Sequence, residues 1–211
     1  MKKILYIYGY GGSAQGSTST MLRRLVPEGY MVESFTYTQA DFAKARQEIL
    51  GYIREHGIDL VVGSSLGAFI TLTLNGIPRI VVNPCWYPGE ELPLIDVPHE
   101  IVRTYAPHDH WVQEHITEED RPMVHAFFGD RDELFGEKYI AHFLRHYPQE
   151  QCHRIPSGHH LSEEGAREIV AWIDKNPQFI NSQNHLWLIE PDINKFSEPT
   201  YIQYEPLFLQ L

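Results

Sequence analysis

Short apolar runs rich in β-branched and aromatic residues alternate along this chain with longer stretches of helical period. Residues 4–8, 31–37, 60–62, 80–82, 123–128 and 152–155 are of strand length and composition. Between them, a stretch starting after Thr38 sets Phe42, Ala45, Ile49 and Ile53 on one helical face, with Thr38 as N-cap and Gly57 as the stop. A second helix is expected over residues 137–146, ending near Pro148. A third is capped by Ser162 and carries Ala166, Ile169, Val170 and Ile173 as an apolar stripe up to Asn176. Regular alternation with right-handed crossovers predicts an α/β protein, a three-layer α/β/α sandwich around a doubly wound, mainly parallel sheet of about six strands.

Two segments break the alternation. Residues 84–122 separate the fourth and fifth strands by far more chain than a crossover needs, and their aromatics and histidines suit a small lid inserted into a domain over residues 1–176. Residues 177–211 follow the helix that would close the sandwich. Two strand-like runs there, 186–189 and 201–204, predict a hairpin extension that packs on its own domain or forms a homodimer contact.

Composition narrows the partners. Seventeen basic against twenty-eight acidic residues give a formal charge of −11, which repels nucleic acid and anionic membrane surfaces. Cys85 and Cys152 lack C-x-x-C spacing, and two ordinary thiols fit a reducing compartment. The lysines at positions 2 and 3 followed by apolar residues resemble the start of a signal peptide, but the apolar run stops at Gly9, so a cytoplasmic protein is expected.

The candidate chemistry begins at residues 63–67, Gly-Ser-Ser-Leu-Gly, a G-x-S-x-G pattern between the third strand and a helix-like run. A serine in the middle of a strand-to-helix turn is lifted to the carboxyl edge of a parallel sheet, and the flanking glycines allow the chain to turn tightly. Ser65 holds that middle position, with Ser64 as the competing hydroxyl. A serine nucleophile needs a histidine base and a carboxylate to orient it. Residues 129–133, Gly-Asp-Arg-Asp-Glu, follow the fifth strand and offer Asp132 or Asp130; residues 157–160, Ser-Gly-His-His, follow the last and offer His159 or His160. Pro107-His108-Asp109-His110 with His115 has metal-ligand chemistry, yet no helical ligand spacing and no role in such a triad, so no metal and no cofactor are expected.

The order Ser, Asp, His, each after a strand, resembles the α/β-hydrolase superfamily. In layout the chain is similar to its compact bacterial esterases of the YqiA-like family. The resemblance rests on Tyr8-Gly9-Tyr10-Gly11-Gly12-Ser13, the pentapeptide, Asn83-Pro84, residues 129–132 and Gly158-His159, and covers residues 1–176. It implies Ser65 as nucleophile, Asp132 as acid by the Gly-x-x-Asp spacing, and His159 as base. The backbone amides of Tyr10 and Leu66 would form the oxyanion hole. Trp86, Tyr87 and Trp111, with Tyr105, are candidates to line a substrate pocket. The implied activity is hydrolysis of short- or medium-chain carboxylic esters. Thioesterase or peptidase action and a non-catalytic binding role are the alternatives.

Overall fold

A computed structural model describes residues 1–180; the expected hairpin over 186–204 lies outside the described residues. Six parallel strands form one sheet in the order β2-β1-β3-β4-β5-β6: β1 (Lys2–Ile7), β2 (Tyr30–Glu33), β3 (Leu60–Ser64), β4 (Arg79–Val82), β5 (Val124–Gly129) and β6 (Cys152–Ile155). Because every strand runs the same way, the loops after β1, β3, β4, β5 and β6 meet at one edge. The chain steps from β1 to one side and returns on the other at β3, so the strand order reverses between them, where an open α/β sheet leaves a crevice.

Helices cover both faces: α1 (Ser17–Leu25), α2 (Phe42–His56), α3 (Leu66–Leu72), α7 (Gly136–Phe143) and α8 (Glu163–Lys175). The α2 stripe is as expected, with Phe42, Ala45, Ile49 and Ile53 all buried. Each of its large members contributes about 1.5–3 kcal/mol by leaving water. Gly57 ends the helix in the left-handed region at φ 62°. The start differs from expectation. Asp41 is the N-cap, accepting from the Lys44 amide at 3.0 Å, whereas Thr38 is held by Glu48 through both its amide and its hydroxyl. Helix α8 follows the sequence reading, with Ser162 Oγ accepting from Gly165 N at 3.0 Å and the apolar stripe buried.

The second strand is shorter than its apolar run. Residues 34–37 leave the sheet because their polar tips bond to β1 and the turn after it: Ser34 Oγ donates to Tyr6 O, and the Tyr37 hydroxyl to Tyr8 O at 2.6 Å.

The stretch between β4 and β5 folds into three short helices, α4 (Pro88–Glu91), α5 (His99–Tyr105) and α6 (Trp111–His115). Most of its large side chains pack downward, Leu94 and Ile95 excepted. Tyr105 is fully buried, edge-on to Phe42 at 5.6 Å, and its hydroxyl donates to Gln39 O. Glu91 anchors α4 from inside: it accepts from the amides of Trp86 and Tyr87 and from the Tyr139 hydroxyl, and burial pushes its pKa up.

Candidate active site

Ser65 sits between β3 and α3 with φ 53° and ψ −122°, a conformation that non-glycine residues rarely adopt and that surrounding structure must enforce. The enforcement is visible. Ser65 N donates to Val82 O at 3.0 Å, and Ser65 O accepts from Cys85 N at 3.2 Å, so β4 and the turn after it clamp the serine from both sides. A Cβ added at Gly63 would lie 2.5 Å from Gly67 O, and one at Gly67 would lie 2.5 Å from Tyr8 O. Those separations are below any tolerable carbon–oxygen contact, which is why both positions are glycine.

His159 follows β6 and brings Nε2 to 3.0 Å from Ser65 Oγ. Its Nδ1 stands 3.2 Å from each carboxylate oxygen of Asp132, which follows β5. Both side chains are almost wholly removed from water, 5% and 3% exposed. A neutral imidazole whose Nδ1–H donates a hydrogen bond to Asp132 keeps a lone pair on Nε2, aimed at the serine hydroxyl. Burial by itself raises the Asp132 pKa. The bond from His159, the Leu134 amide, the His159 charge and the Phe135 amide outweigh it and hold the carboxyl below the ordinary aspartate range. The Phe135 ring stands edge-on to the imidazole, with centroids 4.8 Å apart.

The alternative residues have other partners. Asp130 pairs with Arg131 in the open, His160 is exposed, and Ser64 Oγ lies 2.7 Å from the Tyr6 hydroxyl.

One residue joins the site's loops, and its part is not evident from sequence. Asn83, after β4, has φ 43°. Its Nδ2 donates to Gly158 O at 2.9 Å and His159 O at 3.0 Å, while its Oδ1 accepts from Gly129 N at 2.8 Å. A single buried amide thus ties the histidine loop to the acid loop. Glu133 adds a second tie by accepting from His159 N at 3.1 Å. The Asn83-Pro84 pair at a strand end is the only signal in the chain for this position.

Leu66 opens α3, where first-turn amides have no intrahelical acceptor. Tyr10 belongs to the turn after β1, and this turn is pressed against the serine: a Cβ at Gly9 would stand 3.0 Å from Ser65 Cβ. Gln39 steadies the turn by donating to Gly9 O at 2.7 Å.

A cavity of about 420 Å³ opens onto Ser65 and His159 above the crevice between β1 and β3, with Tyr8, Tyr10, Ile95 and Leu134 among its walls. The aromatics expected there are elsewhere. Trp86, fully buried, lies edge-on to His142 at 4.6 Å, Tyr87 bonds to His142 through its hydroxyl, and Trp111 stacks on His115 at 4.2 Å. None of the three lines this cavity, because their rings complete the packing of residues 84–122.

Most of the histidine-rich stretch is likewise taken up by packing, although His110 is exposed. His108 lies against Phe42 at 4.3 Å, with burial and then Arg46 lowering its pKa to about 4, and Asp109 accepts from Gly89 N at 2.8 Å. Among the described residues no three His, Cys, Asp or Glu side chains are grouped so as to hold a metal ion, and no helix is long and apolar enough to cross a membrane.

Solved structures with this architecture are α/β hydrolases. Est1E from Butyrivibrio proteoclasticus is similar over 84% of this chain and 88% of its own at 17% identity and a TM-score of 0.62. The esterase domain of a Rhodothermus marinus protein is similar over 82% and 87% at 16% identity and 0.60. Mouse α/β-hydrolase domain-containing protein 10 is similar over 85% and 90% at 14% identity and 0.58. At such identities the likeness is one of fold, and the chain has the α/β-hydrolase fold. No family model and no curated protein matches its sequence.

Proposed function

We propose that the protein is a serine hydrolase of carboxylic esters with short or medium acyl chains, related to the compact YqiA-like esterases. The reading rests on one observation: Ser65, His159 and Asp132 stand in a single hydrogen-bonded row beside an open cavity. In this mechanism Ser65 Oγ attacks the ester carbonyl carbon as its proton passes to His159 Nε2, and the carbonyl oxygen takes the negative charge. The amides of Leu66 and Tyr10 bind that oxygen; in sites of this kind one donor is worth about 3 kcal/mol. His159 then returns the proton to the departing alkoxide. Asp132 keeps the imidazole in its productive tautomer and stabilises it when charged. Water enters, gives its proton to the same nitrogen, attacks the acyl-enzyme, and frees the acid and Ser65.

The lining of the cavity favours esters over coenzyme A thioesters. Among the described residues that line it there is no Lys or Arg to meet phosphates.

A fluorophosphonate probe is expected to label the native protein at Ser65 and to leave Ser65→Ala unlabelled. Turnover on a panel of p-nitrophenyl esters, acyl-CoA thioesters and peptides should be confined to the esters. Native protein that takes no label and turns over none of the panel would refute the assignment and favour a non-catalytic binding role.

A further inference from the structure

The two walls of the cavity differ in chemistry, and the reaction fixes which wall meets which half of an ester. On the β1 side stand hydroxyl groups, from Tyr6 on the strand, Ser13 in the following turn, and Ser17 and Thr18 at the start of α1. On the β5 and β6 side stand Leu134, which follows Asp132, and Leu161, which follows the two histidines. Ile95 reaches the same cavity from the stretch between β4 and β5. Leu134 and Ile95 are 47% and 43% exposed, among the few large apolar side chains left in water. Such side chains at a cavity mouth favour an apolar ligand group.

Among the described residues none of those lining the cavity is Asp, Glu, Lys or Arg, although the chain carries 17 basic and 28 acidic residues. Away from His159 and His160, a charged group entering would lose its hydration without a counter-ion. A hydroxyl group entering beside Ser17 and Thr18 would keep its hydrogen bonds, since a hydroxyl offers one donor and two acceptor positions.

The leaving oxygen of an ester must take its proton from His159 Nε2, so the alcohol half lies on the His159 side, against Leu134 and Leu161. The acyl half extends the other way, toward Tyr6 and the start of α1. We infer that the site is built for esters of an uncharged, hydroxylated acyl group with an apolar alcohol. This rests on the serine-hydrolase reading and names the substrate class within it. Aliphatic hydroxy acids and phenolic acids share the required chemistry.

The test is steady-state hydrolysis of matched butyl esters by the native protein, read as kcat/KM. Butyl 3-hydroxybutyrate is compared with butyl butyrate, butyl 4-hydroxybenzoate with butyl benzoate, and monobutyl succinate supplies a charged acyl group. Hydroxylation is expected to raise kcat/KM by about tenfold in at least one pair, the worth of one good net hydrogen bond, and the pair that responds identifies the aliphatic or phenolic source. Monobutyl succinate is expected to fall below butyl butyrate. Thr18→Val and Ser17→Ala should lower kcat/KM for the favoured hydroxylated ester more than for its partner, and Leu134→Ser should narrow a preference for butyl butyrate over glyceryl monobutyrate. Labelling of Ser65 by the fluorophosphonate with neither pair differing by more than about twofold would overturn this inference and leave the hydrolase reading standing. Absence of both labelling and turnover would overturn the two together.

Discussion

The turn at Ser65 and the loops carrying Asp132 and His159 lie at the same sheet edge and are held by different forces. The serine turn is held chiefly by shape, with two backbone bonds to Val82 and Cys85 beside it: Gly63 and Gly67 lie where any side chain would enter neighbouring backbone, and the strained Ser65 has no room to relax. The acid and histidine loops rely more on directed bonds: three made by Asn83, one received by Glu133 and a backbone bond from Arg131 N to Ser157 O, with Gly129 pressed against the carbonyls of Ser157 and Gly158. Steric constraints fail all at once, whereas hydrogen-bonded ones fail by degrees. Damage to the first region should therefore appear in stability and damage to the second in rate.

The sharpest break in that contrast is Ser65→Ala, which removes the attacking atom and leaves the turn. It should lower ester turnover by at least about 10⁴-fold while the urea midpoint stays near that of the native protein. Next is Gly67→Ala. With no space for a methyl group against Tyr8 O, it should cost about 3 kcal/mol or more of stability, read by urea denaturation. A native midpoint would refute the steric account of the turn.

Asn83 probes the other side. Asn83→Asp keeps the acceptor for Gly129 N but sets a carboxylate oxygen against the carbonyls of Gly158 and His159. We expect kcat to fall about 10- to 100-fold with KM nearly constant, as near-attack geometry is lost rather than binding. Asn83→Gly, which accepts the φ of 43° easily, separates backbone from side chain: it should retain the fold and share the loss in kcat. An unchanged kcat in both would remove Asn83 from the positioning of His159.

The smallest effect concerns pH. Burial lowers His108, His125 and His142 to about 4 in the folded chain, against about 6.5 unfolded. Between those values the unfolded chain binds more protons, so stability is present above pH 6.5 and is lost as pH falls toward 4. Asp109, raised to about 6 chiefly by burial, acts in the opposite sense. In His125→Gln the acid-side drop in Tm should be smaller than in the native protein by about 2–4 °C. Identical pH slopes in the two proteins would contradict it.

Much of the fold is legible in the sequence because its signals are local. Apolar stripes mark α2 and α8, Gly57 and Ser162 mark helix ends, and the pentapeptide marks the turn at Ser65. Helix α1 is not among the elements the pattern predicts, for a physical reason: it is nine residues long, its first four are Ser or Thr, and its apolar face of Met21, Leu22 and Leu25 is confined to the second half. Thr38 and Asp41 are both capable caps three residues apart, and only the recruitment of Thr38 by Glu48 separates them. The part played by Asn83 is a matter of contacts 46, 75 and 76 residues away, which no local pattern encodes. Trp86, Tyr87 and Trp111 show the limit most directly. An aromatic in an insertion has the same composition whether its ring faces a cavity or the core, and here Trp86 and Trp111 are buried while Tyr87 packs half-buried on His142.

The Lys2 ammonium donates to the carbonyl of Ile180, and Phe179 packs edge-on to Trp172 and His125. The start of the first strand and the end of the sandwich are thereby brought side by side at the amino-terminal edge of the sheet, away from Ser65. A ring closed by a short linker between Ile180 and Met1 needs little rearrangement, and such a ring could be reopened at the exposed turn of Glu28 and Gly29. The order in which the strands are synthesised would then change while the order in which they lie would not, separating the chemistry at the far edge from the direction in which the chain was made.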